Sequence, residues 1–258
     1  MLKPHNRAAF LTSEELGQAA AFPIANYSPS SIQSAFGSIR SQWPESPLRV
    51  ALFNTSFGVW KVCAFHMFPS LRSSLTRNPQ PFLEVTPEEV QESVDTNIVA
   101  AFAFSREAIT AFKGLDLNDK GKRGTLLFTG ATASLRGNTT TSAFAAGKFA
   151  VRALSQSLAK EFGKENIHVA HAIIDGGILT DRSASHTPKE KLEDPNALLS
   201  PESIGNVRPS LTTQRRNCSS LIACSRTCTL LIRIDPRGPG SLIVSHLFSK
   251  ASVKGLLT

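Results

Sequence analysis

Long apolar runs are missing from this chain of 258 residues. No stretch approaches the roughly 20 apolar residues that a membrane-spanning helix needs. The first residues, Met1-Leu2-Lys3-Pro4, also lack the apolar run of a secretory signal. We therefore expect a cytoplasmic protein that does not span a membrane, with a length that suits one substantial core.

Acidic residues are scarce in one part of the chain. Residues 205–258 hold eight Lys or Arg and one acid, Asp235, and residues 62–80 hold two Arg and no acid. These two segments account for the net charge of +8, so the remainder is close to neutral. A basic tail can bind polyanions through charge alone, but this distribution makes a nucleic-acid-binding function unlikely as the main one.

Cysteine is also rare, and its spacing does not form two pairs. Of four cysteines, Cys63 stands alone, while Cys218, Cys224 and Cys228 lie close together. A zinc site uses four closely spaced ligands, and the fourth would have to be His246 or the distant Cys63. We therefore expect no metal site.

The apolar pattern alternates between strands and helices. The predicted strands are residues 19–23, 50–53, 125–129 and 167–174, and the predicted helices are residues 30–39, 86–112 and 144–162. Ser30 or Ser31 is the expected N-cap of the first helix; Thr86, Pro87 and Glu89 form the expected start of the second. Along the second helix the predicted apolar side carries Val90, Val94, Ile98, Ala101 and Ser105. This alternation implies an α/β fold with a parallel sheet.

Two segments do not fit the alternation. Residues 62–80 have no consistent period, and we interpret them as an irregular insertion within a domain that spans residues 1–204. Their codons are compatible with a translated intron. Residues 205–258 are predicted to be a basic, cysteine-containing and poorly ordered tail.

Residues 124–180 resemble the catalytic half of the short-chain dehydrogenase/reductase family. The family's Tyr-x-x-x-Lys motif corresponds to Phe144-x-x-x-Lys148, so this chain is a divergent member that lacks the phenol. The resemblance covers residues 19–204 apart from residues 62–80, and implies a doubly wound, Rossmann-like parallel sheet. That sheet is expected to be incomplete at its N-terminal side, because the family's Gly-rich turn does not occur upstream of Asn54.

The resemblance also assigns roles to residues. Lys148 would hold the nicotinamide ribose, and Asn97 would anchor a water. In the family a Ser polarises the substrate carbonyl, and its position corresponds to Ala131 here. Thr132 and Ser134 are the hydroxyls that could replace it, and Phe144 stands at the position of the family's Tyr. The residues expected to bind the cofactor are Asn26, Asn54, Lys148, Gly176, Ile178 and Thr180, with Asp175 in place of a family Pro.

Each assignment has a structural alternative. Lys148 could be a solvated helix residue, Asn97 a helix residue without a role, and Phe144 a packing residue. His168 and His171 are expected to be core or edge residues rather than catalytic bases.

The resemblance implies an NAD(P)-dependent oxidoreductase acting on a small ketone or alcohol, in a specialised metabolic pathway. NADP is slightly preferred to NAD, although the missing Gly-rich turn is expected to compromise cofactor binding. A homo-oligomer is expected by analogy. The alternative is a catalytically inactive dehydrogenase-like protein with a binding role or none.

Overall fold

A five-stranded sheet forms the centre of the computed structural model, which describes residues 20–58, 60–62, 77–79, 81–185, 187–194, 197–201, 204, 221–225 and 242–245. Its strand order is β6-β5-β4-β1-β7, and every neighbouring pair is parallel. The strands are β1 (Leu48–Phe53), β4 (Gly124–Ala131), β5 (Ile167–Asp175), β6 (Leu221–Ser225) and β7 (Leu242–Ser245). The predicted parallel α/β sheet is confirmed, with β1, β4 and β5 at its centre.

Three long helices follow from capping and apolar spacing. They are α1 (Pro29–Gln42), α3 (Ala100–Lys113) and α4 (Ser142–Phe162). A shorter helix, α2 (Pro87–Val94), leads through a π-helical turn, Asp95–Val99, directly into α3. Two short helices, α5 (Asp181–Ala184) and α6 (Lys189–Glu193), follow β5.

The main core lies between one face of the sheet and these helices. Alternate residues of the strands, such as Phe53 and Phe128, pack with Phe104 of α3 and Val151 of α4. The intervening residues Leu52, Leu127 and Ala170 form a smaller cluster on the opposite face. This period of two is what a sheet with both faces buried requires.

The predicted start of the second helix is confirmed. The Thr86 hydroxyl accepts from the Glu89 N–H at 3.3 Å, and the Glu89 carboxylate accepts from the Thr86 N–H at 2.9 Å. Pro87 occupies the first helical position, where a missing N–H costs nothing.

The predicted apolar side of that helix is wrong in its first part. Val90 is 46% exposed, and the buried residues there are Ser93, Thr96 and Asn97. The π turn adds a residue to one turn and so shifts the buried face, after which Ala101 and Ser105 are buried as predicted.

Two predictions near the start of the described chain are also wrong. Residues 20–23 form no strand, because the two edges of β1 are already paired with β4 and β7. The N-cap of α1 is Ser28 rather than Ser30 or Ser31, since Pro29 fits the first helical position.

Two strands of the sheet fall within residues 205–258, which were predicted to be a basic, poorly ordered tail; that prediction stays untested. β6 pairs with β5, and β7 pairs with β1. Both strands are short apolar runs, which is typical of strands in parallel sheets. Within residues 62–80, the described parts belong to an antiparallel pair, β2 (Trp60–Val62) and β3 (Arg77–Pro79). The domain boundary at residue 204 stays a prediction.

Candidate functional site

The carboxyl ends of β1, β4 and β5 lie at one edge of the sheet, because these strands are parallel neighbours. Asn54 follows β1, Thr132 follows β4, and Asp175 ends β5. Ligands of open α/β sheets bind at this edge. Three sequence-predicted segments therefore meet where a ligand is expected.

Lys148 is buried beside this edge, on the second turn of α4. Its side chain is 3% exposed, and its Nζ donates to the carbonyl oxygen of Thr129 in β4 at 2.8 Å. Burial lowers the pKa of Lys148 to about 8. Among the described residues it forms no ion pair, so the ammonium keeps N–H donors for a neutral ligand. The solvated alternative for Lys148 does not fit this position.

Phe144 lies one helical turn before Lys148. The Lys148 Nζ is 5.9 Å from the centre of the Phe144 ring, within the range of a cation–π contact. The ring therefore stands beside the ammonium as the predicted spacing requires. It carries no hydroxyl, so it cannot exchange a proton.

Asn97 is fully buried in the π turn. Its side-chain oxygen accepts from the Phe57 N–H, and its side-chain nitrogen donates to the Phe57 carbonyl, both at 2.9 Å. The same nitrogen donates to the Ser93 hydroxyl at 3.0 Å, and that hydroxyl donates to the Ala143 carbonyl at 2.9 Å. The side-chain amide is thus used to join the segment after β1 to the start of α4.

Gly147 allows Asn97 to approach α4. A Cβ on Gly147 would lie 2.6 Å from the Asn97 side-chain nitrogen and 2.8 Å from its Cβ. Glycine is a poor helix former, so a glycine beside Lys148 in the sequence was a signal of this close contact that the sequence analysis missed.

The two candidate hydroxyls have different surroundings. Ser134 is fully buried, and its oxygen accepts from the Ala131 N–H at 3.1 Å. The Thr132 hydroxyl is half-buried and donates to the carboxylate of Asp175. Thr132 therefore lies at the edge, whereas the Ser134 side chain points into the interior.

The segment after β5 turns along the same edge. The Leu199 N–H donates to the Gly177 carbonyl at 2.7 Å, and the Leu179 N–H donates to the Leu199 carbonyl at 2.8 Å. Ile178 packs against Ile174 and Leu199. The Thr180 hydroxyl accepts from the Ser183 N–H at 3.1 Å and so caps α5.

Asn54 and Asn26, which were predicted to bind the cofactor, have different surroundings. Asn54 is half-buried at the end of β1. Asn26 is exposed, and its side-chain oxygen accepts from the Ser28 N–H at 2.9 Å and the Ser31 hydroxyl at 2.8 Å. The described hydrogen bonds of Asn26 thus stabilise the turn before α1.

His171 lies beneath the site on β5. Neither ring nitrogen has a hydrogen-bond partner among the described residues, and the ring is buried against Gly130. Burial lowers the pKa of His171 to about 4, and the charges of Lys148 and Arg152 act in the same direction. The ring is therefore neutral near pH 7, as the sequence-based interpretation of a core residue requires.

Metal ligands do not cluster in the described part of the chain, where no three His, Cys, Asp or Glu side chains could hold an ion. Cys63, Cys218, Cys228 and His246 lie outside the described residues. Among the helices that the structure describes, none is long and apolar enough to cross a membrane.

Comparison with known sequences finds a likeness to one family. Residues 72–191 match the short chain dehydrogenase family model. A 3alpha-hydroxysteroid dehydrogenase of Mediterraneibacter gnavus is 36% identical over 104 residues, which is 40% of this chain and 39% of that protein. The uncharacterized oxidoreductase YciK of Escherichia coli is 32% identical over 124 residues, 48% of this chain and 45% of that protein. The matches thus span less than half the length of these curated relatives.

Solved structures show the same fold. A short-chain dehydrogenase from Rhodopseudomonas palustris superposes with a TM-score of 0.54 at 24% identity, over 80% of this chain and 73% of that one. A 3-ketoacyl-(acyl-carrier-protein) reductase from Brucella melitensis, complexed with NADH, gives 0.57 at 17% identity, over 77% and 73%. A 7 alpha-hydroxysteroid dehydrogenase, complexed with NADH and 7-oxo glycochenodeoxycholic acid, gives 0.57 at 18% identity, over 80% and 72%. These likenesses support a Rossmann-like sheet.

Proposed function

We propose that this chain is a member of the short-chain dehydrogenase/reductase family and an NAD(P)-dependent oxidoreductase acting on a small ketone or alcohol, which the matches to that family support. The observation that carries the proposal is the burial of the Lys148 ammonium beside the carboxyl edge of the sheet. A buried cation without a counter-ion is costly, and a binding role at this edge accounts for its position.

The donor set at the edge fits a nicotinamide nucleotide. The ammonium of Lys148 has N–H groups left for ribose hydroxyl oxygens. Residues 176–180 lie along the same edge, where the family resemblance predicts contact with the cofactor. When bound, the cofactor supplies hydride transfer, and the protein supplies position and charge.

Roles of the remaining residues follow from their surroundings. We assign Asn97 to positioning α4, because its amide joins the segment after β1 to that helix. Thr132 lies where a substrate oxygen would approach, whereas Ser134 is too deeply buried to reach it. We also propose Asn54, at the end of β1, as a cofactor contact. For Asn26, a contact with the cofactor is supported only by the family resemblance.

Phe144 sets a limit on the rate. General acid–base help is worth about 10²–10⁴ in rate, and Phe144 cannot supply it. We therefore expect slow turnover unless another donor is present.

Cofactor preference, location and metabolic pathway are also part of the proposal. A preference for NADP over NAD and a role in a specialised pathway rest on the family resemblance alone. A cytoplasmic location rests on the sequence-based expectation given above. The hydroxysteroid dehydrogenase among the relatives suggests a 3-oxosteroid as one assay substrate, alongside simple cyclic ketones.

Two measurements on the full chain test the proposal. Saturable binding of NADH or NADPH, followed by fluorescence, is expected, and Phe144→Tyr should raise the turnover of at least one ketone by about tenfold or more, since it restores the family's proton donor. Phe149→Tyr is the matched control, because Phe149 lies on the exposed side of α4, and it should leave turnover unchanged.

The phenylalanine at position 144 also favours a second function. If Phe144 marks a chain that has lost catalysis, the protein is a dehydrogenase-like binding partner. Absence of saturable coenzyme binding by the full chain would support that alternative and contradict the oxidoreductase proposal.

A further inference from the structure

We propose that Asp175, held by Thr132, is the proton donor and acceptor that replaces the missing phenol. This inference rests on the proposed oxidoreductase function and deepens it, because it names the residue that performs the proton transfer.

The position of Asp175 is the first support. It is the last residue of β5, and its neighbour Ile174 pairs with Ala131, the last residue of β4. Thr132 follows Ala131 directly, so the side chains of Thr132 and Asp175 meet at the carboxyl edge of the sheet. The Lys148 ammonium is bound to β4 at Thr129, three residues before Thr132.

The hydrogen bond is the second support. A hydroxyl has one proton, and Thr132 donates its proton to one oxygen of the Asp175 carboxylate. Among the described residues, no other hydrogen bond or ion pair of this carboxylate occurs. One oxygen is thus oriented by the protein, and the other is left for a ligand.

The surroundings argue against three other side chains near the site as the donor. Phe144 has no acidic proton, Ser134 is fully buried, and the His171 ring lies beneath the site against Gly130. Asp175 is only half-buried, so it can regain a proton from water. Of these groups, the Asp175 carboxyl combines acid chemistry with access to the edge.

The proton balance of the step is simple. In reduction, the O–H bond of the Asp175 carboxyl breaks and a new O–H bond forms on the carbonyl oxygen. The carbonyl carbon gains the hydride that the bound cofactor supplies, so the ketone becomes an alcohol. The Asp175 carboxylate then takes a proton from water, and oxidation of the alcohol reverses each transfer.

A purely structural role would give a different set of results. The Thr132–Asp175 bond also joins the ends of β4 and β5, and a hydrogen bond to a charged group contributes to stability. Loss of that bond would lower the melting temperature, but it would not make activity depend on an added acid.

The test uses the full chain with Asp175→Asn and Asp175→Ala, and Asp119→Asn as the control, since Asp119 is exposed in the loop before β4. We expect Asp175→Asn to bind NADH within about twofold of the parent and to lose about 100-fold or more in kcat. Formate should restore part of the kcat of Asp175→Ala, whereas Asp119→Asn should match the parent with or without formate.

A second readout needs neither cofactor nor turnover. The side-chain carboxyl carbon resonance of Asp175, identified by its loss in Asp175→Asn, should shift when cyclohexanol is added to the cofactor-free protein. The shift should shrink in Thr132→Val, which keeps the shape of the side chain and removes the donor.

The outcomes separate this inference from the proposed function. Retained kcat in Asp175→Asn, absence of formate rescue, or a carboxyl resonance that cyclohexanol does not move would overturn the role of Asp175. A parent chain that binds NADH but reduces no ketone would also overturn it while leaving the coenzyme site intact. Failure of the parent to bind either coenzyme contradicts the proposed function itself.

Discussion

Residue 147 shows how tightly the site is packed around a polar group. Gly147 lies next to Lys148 in the chain and against the fully buried amide of Asn97. That amide makes three hydrogen bonds, two to Phe57 and one to Ser93. The absence of a side chain at residue 147 is therefore a condition for the position of Asn97.

Gly147→Ala should destabilise the protein, although alanine is the better helix former. The new Cβ would lie under 3 Å from Asn97 atoms, and displacing a buried amide from its partners costs about 1–3 kcal/mol for each group left unpaired. We expect a decrease of about 2 kcal/mol or more in the free energy of unfolding, measured by urea denaturation.

Gly37→Ala is the matched control for this change. Gly37 is also inside a helix, α1, and an added Cβ there meets nothing within 4 Å. It should raise stability by about 0.5–1 kcal/mol. Equal effects of the two substitutions would show that Asn97 does not limit residue 147.

Helix ends were predicted best where the residues that determine them lie close together in the sequence. The start of α2 was predicted from Thr86, Pro87 and Glu89 because capping chemistry acts over three residues. The π turn at Asp95–Val99 was not predicted, because no residue type in the sequence signals the extra residue in that turn. The turn contains the buried Asn97, whose contacts join distant segments.

Thr86→Ala should weaken the start of α2. It removes the hydroxyl that accepts from the Glu89 N–H, and loss of such a cap costs about 1 kcal/mol. Thr110→Ala is the comparison, because Thr110 is exposed inside α3 and caps no helix. A thermal melt should show a lower midpoint for Thr86→Ala alone; equal midpoints would contradict the role of the cap.

At the scale of the whole molecule, the centre of the sheet was predictable and its borders were not. The strands β1, β4 and β5 are apolar runs separated by helices, which predicts parallel pairing. The partners at the borders, β6 and β7, come from a segment without helix or strand periodicity. Parallel pairing joins residues far apart in the chain, so local pattern does not determine it.

The candidate site was predicted in the same uneven way. Lys148 was singled out because it lies one helical turn after Phe144, and it is buried. Asp175 entered the prediction only as a substitute for proline, because its bond to Thr132 joins residues 43 positions apart. The charge and spacing of a motif are visible in sequence, whereas contacts between strand ends are not.

The burial of Lys148 has a consequence for pH. Its pKa is lowered to about 8, so the ammonium is present below that pH and is lost as pH rises through it. If this ammonium binds the nicotinamide ribose, coenzyme affinity must fall in the same range. A neutral amine donates hydrogen bonds more weakly than the charged ammonium does.

The most direct test is a fluorescence titration of NADH with the full chain between pH 6.5 and 9.5, alongside Lys148→Gln. We predict a dissociation constant that is constant at low pH and rises above about pH 8, with Lys148→Gln weaker by tenfold or more and independent of pH. The same affinity in the parent and in Lys148→Gln at every pH would contradict the claim that the Lys148 ammonium binds the nicotinamide ribose.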